Sequence, residues 1–124
     1  MARPRPPDRR WRRRTVSLDV ELVSSEGRAT ARATTLGGGG LFVRTDRPLP
    51  EESRVRVRFR LPGSLAVHAL AGRVAWVIEP SEAGPRVAGM GVAFSDAQEI
   101  ASLARDLEAL DRVAGDGDGP LPAR

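Results

Sequence analysis

Val55, Val57, Phe59 and Leu61 alternate with Arg54, Arg56, Arg58 and Arg60. A period of two puts every apolar side chain on one side of an extended chain and every guanidinium on the other, so this segment is a strand with one buried and one wet face. A helix would scatter both classes around its circumference. The period recurs along the chain. Val16, Leu18, Val20 and Leu22 alternate with Ser17, Asp19 and Glu21, and Ala29, Ala31 and Ala33 alternate with Arg28, Thr30, Arg32 and Thr34. Leu41 to Thr45 follows a run of glycines. A longer run, Val67 to Glu79 with Gly72 inside it, sets His68, Leu70, Val74, Trp76 and Ile78 on one face. Residues 62–64 read as a turn and 80–85 as a loop, and a glycine-rich segment from Val87 to Phe94 reads as the last strand.

Only after Phe94 does the period change. Ser95 to Gln98 fits a capping box, and Ile100, Leu103, Ala104, Leu107 and Leu110 follow at helical spacing, which predicts one amphipathic helix over 96–111. Six short strands and a terminal helix predict a mainly β fold, a six-stranded antiparallel small β-barrel with one C-terminal α-helix covering an opening. Gly72, Gly89 and Gly91 are expected at the sharp bends that a small barrel requires.

A chain of 124 residues is one domain. Its 13 glycines and 10 prolines exceed the ~12% of an average protein and gather at the two ends and between the apolar runs. Residues 1–8 are Pro- and Arg-rich and are expected to be disordered, as is the tail 114–124, which has almost nothing to bury. The folded part is then 9–113, with an arginine arm at 9–14, a barrel at 15–94 and the helix. Absence of cysteine excludes disulfides, thiolate metal sites and cysteine nucleophiles. The one histidine, His68, is too few for most imidazole metal sites, so no metal ligands are expected. No apolar run approaches the ~18 residues of a membrane span, and the Arg-rich start leads into alternation instead of an unbroken apolar segment, so a cytoplasmic domain is expected.

All 20 basic residues are arginine, for which a GC-rich coding sequence is the ordinary reason. Charge is uneven: residues 1–14 carry seven Arg and one Asp, and the remainder is net negative. Enzyme signatures are absent. The tetraglycine Gly37–Gly40 has no following Lys for a P-loop, and Phe42 and Val43 occupy the third-glycine positions of a dinucleotide fingerprint. No serine has a base nearby in sequence and no carboxylate spacing favours a pair. A non-catalytic protein with no cofactor is expected.

Two features remain. The arm Arg9-Arg10-Trp11-Arg12-Arg13-Arg14 stands just before the first strand. Guanidinium groups fork onto phosphates and onto the O6/N7 edge of guanine, and Trp11 offers a stacking face. The plainer reading is a solvated basic arm with non-specific affinity for polyanions. The second is Thr34-Thr35-Leu36-Gly37-Gly38-Gly39-Gly40-Leu41-Phe42-Val43, whose glycines let backbone approach a ligand and adopt positive φ. Its plainer reading is a permissive turn.

In this order and at this separation, the two features resemble the PilZ domain family, over roughly residues 9–110. The resemblance implies a six-stranded barrel with a C-terminal helix. It also implies binding of cyclic di-GMP through an R-x-x-x-R pair before the first strand and a D/N-x-S-x-x-G turn between the second and third. The pair is Arg9/Arg13 or Arg10/Arg14, and the spacing to Val16, Leu18 and Val20 favours Arg9/Arg13. The turn aligns as Thr35-Leu36-Gly37-Gly38-Gly39-Gly40 and continues Gly-Leu-Phe-Val. Gly72-Arg-Val-Ala-Trp-Val77 and Gly89-Met-Gly-Val-Ala-Phe94 are similar to the family's later strands. Thr35 stands at the acidic or amide position and Gly37 at the serine position, while Gly40 keeps the final glycine. Thr35 still offers a hydroxyl and Gly37 only its N–H, and a hydrogen bond lost from a buried polar site costs on the order of 1–3 kcal/mol.

The resemblance implies a single-domain regulator or adaptor in bacterial signalling. On binding cyclic di-GMP, its free arm would dock on the glycine turn and change the surface shown to a partner protein in motility, polysaccharide or signalling. An alternative is a ligand-independent protein-interaction module of the same fold that has lost nucleotide binding. Nucleic-acid binding ranks last, because the body is net negative. The stripe Arg54, Arg56, Arg58 and Arg60 is the one argument for it. Its plainer reading is an outward barrel face, screened by acids near in sequence such as Glu51 and Glu52.

Overall fold

The computed structural model describes residues 13–84 and 87–117. In chain order the elements are β1 (Arg14–Ser24), β2 (Gly27–Gly37), β3 (Gly40–Arg44), β4 (Arg54–Arg60), β5 (Val67–Ile78), the one-turn helix α1 (Pro80–Ala83), β6 (Gly89–Phe94) and the helix α2 (Ala97–Gly117). All pairings are antiparallel, and the order β1-β2-β3-β6-β5-β4 closes into a barrel. The closing seam is short: β1 meets β4 over Glu21↔Arg58, Leu22↔Val57 and Val23↔Arg56, three pairs against the nine that join β1 to β2.

Alternation explains most of the interior. Leu18, Val20 and Leu22 of β1, Leu41 and Val43 of β3, Val55, Val57 and Phe59 of β4, and Leu70 and Val74 of β5 all point inward and are buried. Burying such side chains contributes about 1.5–3 kcal/mol each, the main favourable term in a chain with few aromatics. His68 belongs to this inner face, stacked on Phe59 with ring centroids 5.8 Å apart, its Nε2 2.9 Å from Asp106 Oδ2 of α2. It is a core residue that ties the helix to the barrel.

Helix α2 buries Leu103, Ala104 and Leu107 over the barrel end from which β6 emerges. Glu99 anchors its first turn, Oε1 accepting the Ala71 N–H at 2.8 Å and Oε2 lying 3.4 Å from Arg56. The cap is Asp96, not Ser95: Asp96 Oδ1 accepts the Glu99 N–H at 2.9 Å, while the Ser95 N–H is already held by the Ala71 carbonyl. The helix also extends past Leu110, where its apolar spacing ends, so residues 114–117, which composition assigns to a tail, form its last turn. Residues 80–83 of the expected 80–85 loop form α1. Pro80 starts it with φ preset for helix, and the Glu79 N–H reaches back to Glu82 Oε1 at 3.4 Å.

Three register shifts break the alternation, between Thr15 and Leu18 in β1, Ala33 and Thr35 in β2, and Val74 and Trp76 in β5. The last corrects the expectation for the long strand. Ala75 is an extra residue there, so Val77 instead of Trp76 turns toward the core and Trp76 emerges 40% exposed. Gly89 and Gly91 likewise serve close packing, not bends. A Cβ at Gly91 would overlap the Trp76 indole, and one at Gly89 would overlap the Phe42 ring and the Val43 carbonyl.

The arginines of β4 face outward as their alternation requires, but the acids near them come from other elements. Glu21 of β1 binds Arg58 at 3.0 Å and Arg28 of β2 at 3.1 Å, Glu99 of α2 lies beside Arg56, and Glu52 pairs with Arg73 of β5. The Arg58 hydrogen bond, with Arg28 adding to it, holds the Glu21 carboxyl below its ordinary value of 4.5 against an opposing desolvation effect.

Candidate functional site

The antiparallel hairpin β2–β3 turns through Gly38 and Gly39, with Gly37 paired to Gly40. Positive φ among the described residues falls at Gly27, Glu52, Gly63 and Gly84, not in this turn. What the sequence reads as conformational freedom is used for close approach. A Cβ at Gly40 would overlap the Val92 carbonyl of β6, so only glycine lets β3 and β6 pair at this point. The Gly39 carbonyl accepts the Phe94 N–H at 2.9 Å, tying the turn to the last residue of β6.

The start of β1 lies against the same hairpin. Arg14 pairs with Leu36 and Thr15 with Thr35, so Arg13, which is exposed, stands one residue short of the strand, next to the step occupied by Gly37. The pairing thus brings Arg13, Arg14, Thr35, Gly37 and Gly40 to one end of the barrel. Arg9 and Arg10 lie outside the described residues. The β2 bulge re-aims Thr35. Without it Thr35 would share the inward side with Ala33; with it Leu36 turns inward and Thr35 pairs with the outward Phe42. The Thr35 Oγ1 atom is nevertheless buried and has no hydrogen-bond partner among the described residues. A buried hydroxyl left unmatched costs free energy.

Phe42 stacks on Trp76 with centroids 5.2 Å apart and ring planes at 18°. Sequence reading missed this pair. It assigns Trp76 to the core by alternation, and nothing in the local composition marks the extra residue Ala75. Among the described residues no group of His, Asp and Glu could hold a metal ion, and no helix is long and apolar enough to cross a membrane.

The family model for the PilZ domain matches residues 7–110. Solved structures with the same fold include the PilZ domain with c-di-GMP of YcgR from Escherichia coli, at TM-score 0.63 and 16% identity, covering 93% of this chain and 100% of that one. The Bacillus subtilis inhibitor of motility MotI/DgrA matches at TM-score 0.63 and 17% identity over 87% of this chain, which spans 53% of that protein. The PilZ domain of CeSA from a cellulose-synthesizing bacterium matches at TM-score 0.55 and 21% identity, over 77% of this chain and 97% of that one. No curated protein matches the chain.

Proposed function

The chain belongs to the PilZ domain family, and from that premise we propose that it is a cytoplasmic, non-catalytic regulator that binds cyclic di-GMP and thereby controls a partner protein, with motility as the leading pathway. The observation that carries the reading is the β1–β2 register, which sets the end of the arginine arm beside the glycine turn. Arg9 and Arg13, or Arg10 and Arg14, clamp phosphate and the Hoogsteen edge of guanine. Thr35 supplies a hydroxyl, which the turn must uncover for a ligand to reach it, Gly37 contributes backbone N–H, and Gly40 keeps the hairpin close to β6. The YcgR domain of the same fold is one with c-di-GMP, and MotI/DgrA is an inhibitor of motility; both support the reading.

Calorimetric titration with cyclic di-GMP is expected to give saturable heat. No heat at high micromolar ligand overturns the receptor reading. Arg9→Ala and Arg13→Ala are each expected to weaken binding by about 10- to 100-fold, as loss of charge-assisted hydrogen bonds does. Arg12→Ala is expected to weaken it less, and equal effects at all three positions overturn the Arg9/Arg13 register.

A second reading, a protein-interaction module without a ligand, is favoured by the absence of any side chain at Gly37, which is itself buried. Thr35→Asp combined with Gly37→Ser separates the two: binding gained only in the double variant identifies a lost site on a competent scaffold.

A further inference from the structure

β5 has an edge that the sheet leaves open. It pairs with β4 from Val67 onward but with β6 only from Gly72, so before Gly72 no strand lies on its β6 side. Ala71 turns its N–H and C=O to this edge, and the start of α2 takes both. Glu99 Oε1 accepts the N–H at 2.8 Å, and the Ser95 N–H donates to the carbonyl at 2.9 Å. Backbone groups point the same way at every second residue of a strand, so Ala69 and Val67 present theirs to the same edge. We infer that the far end of this edge, at Val67 and Arg60, is a docking site for a carboxylate of a partner protein, an Asp or Glu side chain in a segment that also carries aliphatic residues; this rests on the function proposed above only for the existence of a partner.

The structure contains the recognition unit once already. At Ala71 the Glu99 carboxylate sits on an N–H that no strand takes, and 3.4 Å from Arg56, the residue facing Ala71 across the β4–β5 pairing. Four residues along each strand, Arg60 faces Val67 in the same relation. The Arg56 side chain also donates to the Ala69 carbonyl at 3.4 Å, so an outward arginine of β4 is long enough to serve the far edge of β5. Arg58, between them, is engaged by Glu21 of β1. Arg60 has no ion-pair partner, and the Val67 N–H no acceptor, among the described residues. A strand N–H with a guanidinium in reach, about 13 Å along the edge from Glu99, lacks only the carboxylate.

The surroundings define the rest of the partner segment. Leu65 is 91% exposed and Val67 46%, with Ala66 exposed between them. An aliphatic run beside an unpaired arginine suits a segment in which apolar residues flank an acid. A free anion would gain from the arginine and nothing from Leu65 and Val67. Successive antiparallel pairings also put the start of β5 at the barrel end that carries Gly40 and the start of β1, so a partner docked there adjoins the end where the arm and the turn meet.

The test follows the backbone amide signals of the isotope-labelled full chain by NMR while a blocked pentapeptide is added, one glutamate between two valines with serine at each end. The Val67 and Ala69 signals are expected to shift saturably. Replacing the peptide's glutamate by glutamine is expected to weaken binding at least about 5-fold. Arg60→Gln is expected to weaken the glutamate peptide by about 3- to 10-fold. Arg54→Gln, at the other end of β4 and likewise without an ion-pair partner among the described residues, is expected to change it less than about 2-fold. No shift at Val67 and Ala69 with millimolar peptide overturns the inference, and so does equal weakening by the two substitutions, which is general charge attraction. Equal binding of the glutamine peptide overturns the carboxylate. Inorganic phosphate that shifts the same signals as strongly as the glutamate peptide identifies a plain anion site and overturns the partner segment. The peptide comparison needs no substitution, so it decides the matter even if Arg60→Gln misfolds. Failure of cyclic di-GMP to bind overturns the receptor reading and leaves these outcomes as they stand.

Discussion

On the β2–β1–β4 side of the barrel, Arg28, Asp19, Glu21, Arg56 and Arg58 stand outward in regular alternation, and most of these charges answer one another across strands. On the β3–β6–β5 side, alternation is broken at Ala75, β6 presents glycines where side chains would stand, and two aromatic rings lie over them. Beyond the bulges of β1 and β2, the first face follows from the period of its strands, and most of its charges are paired. The second is shaped by departures from that period, each tolerable only because a neighbouring residue is small. A surface that makes its own ion pairs has little left to offer a ligand, whereas one built from bulges and glycines presents side chains in directions a regular strand forbids.

The contrast can be broken at the glycines. Gly40→Ala drives a Cβ into the Val92 carbonyl, backbone that moves only if β3 parts from β6, and a loss of about 3 kcal/mol is expected in urea unfolding. Gly91→Ala meets the Trp76 indole, which can swing away, so a smaller loss of about 1–2 kcal/mol is expected, together with a changed Trp76 emission. Equal losses at the two positions would show that the ring is held as firmly as backbone.

On the charged face the expected effects are smaller and depend on conditions. The folded Glu21 carboxyl titrates below its ordinary 4.5, so the fold favours its ionised form. Its contribution is complete above that value and disappears as pH falls through the lower folded one. Melting curves of the unsubstituted protein and Glu21→Gln should therefore differ near pH 7 and draw together as pH falls below 4.5, and added salt should narrow the gap. Smallest of all is Arg60→Gln at the exposed end of β4, expected within about 0.5 kcal/mol of the parent. A larger loss there would mean that the charged face depends on more than its ion pairs.

β4 was fully legible in the sequence because its inward and outward residues differ in kind and no bulge interrupts them. The barrel class followed from six such periods and the helix from one change of period. The end of the molecule where the arm and turn meet was legible as two composition anomalies, but their adjacency is a matter of register, which a linear pattern does not contain. Trp76 was misplaced because a single-residue bulge shifts every later side chain to the opposite face while leaving composition unchanged. Ser95 and Asp96 both satisfy the capping pattern, and the sheet bond to Ala71 chooses between them. The acids that answer the arginines lie on β1 and α2, out of reach of any argument from neighbours in sequence.

The three-pair seam between β1 and β4 has a dynamic consequence. A closed barrel is expected to open first where the fewest main-chain bonds must break, so amide protons along that seam should exchange with solvent sooner than those between β1 and β2. Glu21 bridges this gap from β1 to Arg58 of β4, a strap of charge across the place with the least backbone to hold it. Added salt, which leaves the apolar interior nearly untouched, is therefore expected to raise the frequency of opening at this seam modestly.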